Sequence, residues 1–268
     1  MSSLQQWGRS ILWMRHIPGI QTWNRLRYRR EHPLLEREQF GIRFPHPVGL
    51  APVLERQVDI LDECESIGFS FTTVIPGQSD VNHVAQRLQE RTSPIITGVE
   101  LRAEGSSEEE AKKALIRLYS LLYDFADYFI LDVNWESGQS SLDDFSDWTD
   151  LLDEILNLRL CYEKYTPILL RISPSHSDAE MSRILDFSLL SGIDGIVAPG
   201  IAKVRFCRTY SKERMPVIGS GALAVAEEAV ALLQAGACLV EVGQGDRKYG
   251  CLTARRLLSA IDNPFDKL

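Results

Sequence analysis

The chain has 268 residues, 44% of them hydrophobic and 25% charged, an ordinary balance for a globular protein. That composition excludes a disordered tail, a collagen-like fibre and a disulfide scaffold, and no apolar run reaches the roughly 18–20 residues of a membrane span. The formal net charge of -8 is unevenly placed: residues 1–30 carry six arginines (Arg9, Arg15, Arg25, Arg27, Arg29, Arg30) and no acid, so a head of +6 leaves -14 for the other 238 residues. An acidic body lacks the clustered Lys and Arg that neutralise phosphates, so no nucleic-acid partner is expected.

The head, residues 1–40, reads as two short helices broken at Pro18-Gly19. Leu4, Trp7, Ile11 and Met14 recur at helical spacing and share one face, with Arg9 and Arg15 off it. A basic amphipathic segment with interfacial Trp suits contact with a membrane surface through residues 1–30. It equally suits a helical extension that closes one end of the following domain, and both uses stay open. No apolar core followed by a small-residue cleavage site marks a secretory signal. Five scattered cysteines, an odd number without C-x-x-C spacing, fit a reducing compartment. The expected location is cytoplasmic, with peripheral attachment to the inner face of a membrane as the extension of that reading. The five histidines lack metal-ligand spacing, so no metal is expected.

From residue 41 to 268, short apolar runs alternate with longer amphipathic stretches. The strand-like runs are Pro47–Pro52, Phe69–Ile75, Ile95–Leu101, Tyr128–Asn134, Pro167–Ser173, Gly195–Gly200, Pro216–Ala222 and Cys238–Gln244. Most are continuously apolar rather than alternating, as parallel strands covered by helices are. Between them, Ser106-Ser107 before Glu108-Glu109-Glu110 marks a helix start, and Ser177-Asp178-Ala179-Glu180 has the form of a capping box. Gly68, Gly192 and Gly236 fall where helices should stop. The acidic run from Asp143 through Asp147, Asp150 and Asp153 to Glu154 reads as the solvated face of a helix. Eight β/α units in about 220 residues predict a (β/α)₈ TIM barrel carrying a short N-terminal helical extension. A doubly wound sheet would show a G-x-G-x-x-G fingerprint, which is absent.

At Phe40–Ala51 the sequence FGIRFPHPVGLA resembles the dihydroorotate dehydrogenase family, particularly its membrane-associated, quinone-using class. The resemblance continues through ADYFILDV (Ala126–Val133), PILLRISP (Pro167–Pro174), GIDGIV (Gly192–Val197), VIGSGAL (Val217–Leu223) and AGACLV (Ala235–Val240). It implies an FMN-binding barrel that oxidises dihydroorotate to orotate in pyrimidine synthesis, with a helical extension lining a quinone tunnel. It also implies a cofactor-binding set of Ala51, Arg56, Arg171, Gly219, Gly221, Gly243 and Gly245. The glycines would cradle the phosphate after the seventh and eighth strands, where barrels commonly hold one.

The motifs that carry the family's chemistry are altered. Where the family reads A-G-F-D-K-N after its first strand, with a flavin-contacting Lys, this chain reads Pro52-Val53-Leu54-Glu55-Arg56-Gln57. The N-R-M-G-F-N-N substrate loop is missing, and Ile75-Pro76-Gly77 leads directly to a predicted helix over Ser79–Arg91. The third strand's G-V-N becomes Gly98-Val99-Glu100, and Arg171 stands where the fifth strand has a second flavin-contacting Lys. Ala198-Pro199 stands where the family binds substrate through Asn. In N-V-S-S-P-N the second Ser is the base that deprotonates dihydroorotate; in register, this chain places Trp135 there. An indole nitrogen only donates, so a base would have to come from Ser137 or Glu136 in a rearranged loop, with Ser140 and Ser141 as further candidates. Trp135 could also fill the volume of the flavin or orotate ring. A buried Arg171 requires a partner, and Glu100 or Asp132 on neighbouring strands are the expected ones. Three readings follow from the residues: an FMN-dependent oxidoreductase, a non-catalytic paralogue that binds or regulates, and a barrel for another phosphorylated metabolite.

Overall fold

A computed structural model describes residues 35–52, 57–66, 68–102, 108–132, 145–221, 226–243 and 253–262. Of the head expected to be helical over residues 1–40, residues 1–34 lie outside the described residues, and Arg37–Gln39 is a strand rather than helix. The described chain opens with a hairpin, β1 (Arg37–Gln39) and β2 (Ile42–Phe44), followed by eight strands that form a closed parallel barrel. These are β3 (Val48–Leu50), β4 (Phe71–Val74), β5 (Ile96–Leu101), β6 (Tyr128–Asp132), β7 (Ile168–Arg171), β8 (Gly195–Pro199), β9 (Val217–Gly221) and β10 (Leu239–Val242). The order runs β10-β3-β4-β5-β6-β7-β8-β9 and closes on itself through the β9–β10 pair. Each barrel strand falls inside one of the eight apolar runs, and a helix follows each: this is a (β/α)₈ barrel.

The helix boundaries obey local chemistry. The helix Asp178–Ser191 starts with a complete capping box, in which Ser177 accepts from the Glu180 N–H and Glu180 accepts from the Ser177 N–H. It ends at Gly192 in the left-handed region at φ 80°. Gly68 and Gly236 also have positive φ, at 97° and 107°. Asp150, Asp153 and Glu154 are exposed on the helix Phe145–Arg159, while Leu151, Leu152 and Ile155 on its other face are buried.

Successive strand residues point alternately into the bore and out to the helices. The outward set, including Val48, Leu50, Val99, Leu101, Phe129, Leu170, Ile196, Val217 and Val240, packs against the helices as the larger core. The inward set forms a second cluster of Phe71, Tyr128, Ile130, Leu169, Val197, Ile218 and Leu239, joined by Phe44 from the hairpin. Fully burying each such side chain contributes about 1.5–3 kcal/mol before entropy is counted. Glycines make room for the rings: a Cβ on Gly49 would overlap Phe71, and one on Gly98 would overlap Tyr128.

The hairpin is a finding the periodicity did not foresee. Gln39 pairs with Ile42, so its loop is the two residues Phe40 and Gly41, both at positive φ (54° and 75°), the twist that tight hairpins favour. Phe40 tolerates that conformation while its ring fills the space beside Gly195 at the N-terminal end of β8. The Phe40, Phe44 and Phe71 rings meet edge to face, with centroids 6.5 and 5.4 Å apart. The hairpin thus stoppers the N-terminal end of the bore, and its turn straddles the expected junction between residues 40 and 41. No helix among the described residues is long and apolar enough to cross a membrane.

Candidate functional site

Barrels of this kind place their chemistry at the C-terminal ends of the strands. There the inward positions become polar: Thr73 on β4, Glu100 on β5, Asp132 on β6, Arg171 on β7, Ser220 on β9 and Glu241 on β10. Glu100 and Glu241 are fully buried. Arg171 reaches across the bore between them. Its Nε donates to Glu100 Oε2 at 2.8 Å, and its Nη2 lies 2.6 Å from the same oxygen and 3.2 Å from Glu241 Oε2.

The network extends on both sides. Arg102, half exposed, donates through Nε and Nη2 to Glu100 Oε1 at 2.9 and 2.7 Å, and its Nε stands 3.7 Å from Asp132. Thr73 Oγ1 donates to Glu241 Oε1 at 3.1 Å and shares a 3.0 Å hydrogen bond with the Tyr128 hydroxyl. Below it, Gln57 donates to the carbonyls of Ala51 and Thr73 and, at 2.5 Å, to Thr72 Oγ1, clipping the end of β3 to β4. Burial alone would lower the Arg171 pKa, but Glu241 and Glu100 outweigh it and hold the guanidinium charged, above its ordinary value. Burial, reinforced by Glu241, pushes the Tyr128 phenol well above its ordinary value, so it stays protonated.

The expectation that Arg171 pairs with Glu100 is met. Asp132 instead lies near Arg102, and Glu241 is the second partner, which the sequence reading missed together with Arg102. Their one sequence signal is a charged residue at an inward position of an apolar strand. Of the expected cofactor set, Ala51 spends its N–H on the Val242 carbonyl at 3.0 Å, and Gly243 spends its N–H on the Gly221 carbonyl at 2.9 Å. Gly219 faces outward, where a Cβ would come within 3.2 Å of Leu232 and Ala237, so its smallness lets the following helix approach. Gly221 closes β9 at the mouth. Arg56, Gly245, Trp135, Glu136 and Ser137 lie outside the described residues.

The described mouth residues do not fit a flavin ring. The inward strand ends carry three carboxylates (Glu100, Asp132, Glu241) against two arginines, a sum of -1 for that layer. Both arginines are already bonded to carboxylates, while Lys203 in the first turn of the helix after β8 donates to the His176 carbonyl. FMN is an anion whose polar ring edge needs donors, and two backbone donors at the strand ends are committed to the ladder. Among the described residues no group of three or more His, Cys, Asp or Glu is placed to hold a metal ion.

The fold and this end of it define a (β/α)₈ barrel with a charged web across its mouth. Among curated proteins the chain resembles dihydroorotate dehydrogenase (quinone). The Nostoc punctiforme protein of that name is 26% identical, covering 96% of this chain and 87% of its own. Among solved structures, dihydroorotate dehydrogenase of Eimeria tenella in complex with ferulenol superposes with a TM-score of 0.74 at 18% identity, covering 92% and 90% of the two chains. A mandelate oxidase variant with an FMN adduct superposes at 0.58 and 16% identity, covering 85% and 78%. No family model matches the chain.

Proposed function

We propose that this chain is a dihydroorotate dehydrogenase-like barrel that serves as a binding or regulatory protein and does not oxidise dihydroorotate. The observation that supports this most directly is the double engagement of Arg171 by Glu100 and Glu241, which fills the mouth with the protein's own charges. A lysine at that position would offer a compact, adaptable donor to a ligand, whereas the arginine fork is held on both sides. Trp135 at the position of the family's base points the same way, since its indole cannot take up a proton. The quinone-using relatives and the basic head support a peripheral membrane contact through residues 1–30 as part of the same reading.

The test is a dihydroorotate oxidation assay on the purified full chain, with a soluble quinone and added FMN. The expected result is no orotate above the protein-free control. Turnover in the ordinary enzymatic range of about 1–10³ per second would overturn the proposal. Flotation of residues 1–40, fused to a soluble carrier, with anionic liposomes checks the head: recovery with the vesicles is expected, and recovery only in the soluble fraction contradicts it.

A further inference from the structure

Two departures from the family pattern, Glu100 for an amide and Arg171 for a lysine, are bonded to each other. We propose that Glu100, Arg171 and Glu241 are a single coupled set that determines what the barrel mouth admits, and that they act by excluding anionic flavin. The inference rests on the reading that the mouth is not a flavin site and adds which residues make it so.

Topology supports it. Around the ring, Glu100 on β5 lies two strands from Arg171 on β7, and Glu241 on β10 lies three strands away in the other direction. Bonds between strands so far apart run across the bore rather than along its wall. Thr73 on β4 likewise reaches Glu241 and Tyr128 across intervening strands. A planar ligand that displaced Arg171 would leave the fully buried Glu241 without its cation and Glu100 with Arg102 alone, a costly arrangement. A ligand bringing its own negative charge meets a second penalty from the net -1 of the layer. Independent loss of unrelated ligands would leave unpaired groups at such depth. Here the two altered positions Glu100 and Arg171 satisfy each other.

The experiment is FMN titration, followed by quenching of flavin fluorescence, on the wild-type chain and two variants whose fold is checked by far-UV circular dichroism. The triple variant Glu100→Asn/Arg171→Lys/Glu241→Gln moves the charge of that layer from -1 to +1. The triple variant Glu100→Gln/Arg171→Met/Glu241→Gln removes the buried charges together and so leaves none unpaired, which protects the fold. Wild type is expected not to bind, and the first variant to bind FMN at least about 100-fold more tightly than wild type, as removal of like-charge repulsion allows. The uncharged variant should fall between them. If both variants fold and neither gains FMN, the set does not control admission, and the proposed function stands without it. If wild type itself takes up FMN, the inference and the reading beneath it both fail.

Discussion

The two ends of the barrel's bore are filled on opposite principles. At the N-terminal end, rings from the hairpin and β4 interlock above inward glycines in an apolar cluster. At the C-terminal end, two carboxylates without solvent exposure grip one arginine. Apolar layers lose stability roughly in proportion to the volume removed. A charged layer instead depends on every member being satisfied, because a missing partner strands a buried ion. The stoppered end is therefore tolerant of change, whereas the mouth is coupled.

The largest effect should come from breaking the coupling. Arg171→Met leaves Glu241 without a cation and Glu100 with Arg102 alone, and is expected to cost about 3–5 kcal/mol in urea unfolding at neutral pH. That cost should ease as pH falls, because the stranded carboxylates take up protons more readily folded than unfolded. A loss below about 1 kcal/mol would mean that the mouth is solvated rather than sealed. At the other end, Leu169→Ala in the inward apolar layer should cost about 2–5 kcal/mol, with little change in its pH dependence. Comparing the two pH profiles separates the two kinds of filling.

Smaller effects sharpen the contrast. Gly98→Ala forces the buried Tyr128 ring to move and is expected to cost about 1–3 kcal/mol by thermal melting. Ser177→Ala removes the hydroxyl of the capping box in the loop after β7 and should cost about 1 kcal/mol. Hydrogen bonds from the Ser177 backbone N–H and hydroxyl hold the Glu180 carboxyl below its ordinary value of 4.5. A depressed carboxylate stabilises the fold above that value, and the contribution is lost as pH falls through the folded value. The Ser177→Ala deficit should therefore be clear at neutral pH and shrink in acid. A deficit that stays constant with pH would deny the link to Glu180.

The barrel was legible because its signals are local. Continuous apolar runs mark buried strands, and Gly192, Gly236 and the Ser177–Glu180 box mark helix ends by their own chemistry. The hairpin escaped notice because its strands are three residues long and carry Arg37, Glu38 and Arg43, and its turn is Phe40-Gly41 rather than Asn-Gly. What holds it is Phe40 beside Gly195, a contact across about 150 residues of chain. The mouth was half legible. A buried Arg171 demands an acid and Glu100 is an expected one, but Glu241 is a partner only once the barrel curls and brings β10, three strands from β7, within reach across the bore. That Gly219 is turned toward a helix and the Gly243 N–H is bonded to the Gly221 carbonyl has no local sequence signal.

The central claim is that the mouth is occupied by the protein's own charges, so that no flavin is held there. The most direct test is the absorption spectrum of the full-length chain, freshly purified and then again after incubation with excess FMN and desalting. The account predicts a colourless protein both times. Near-stoichiometric flavin bands in either spectrum would contradict it.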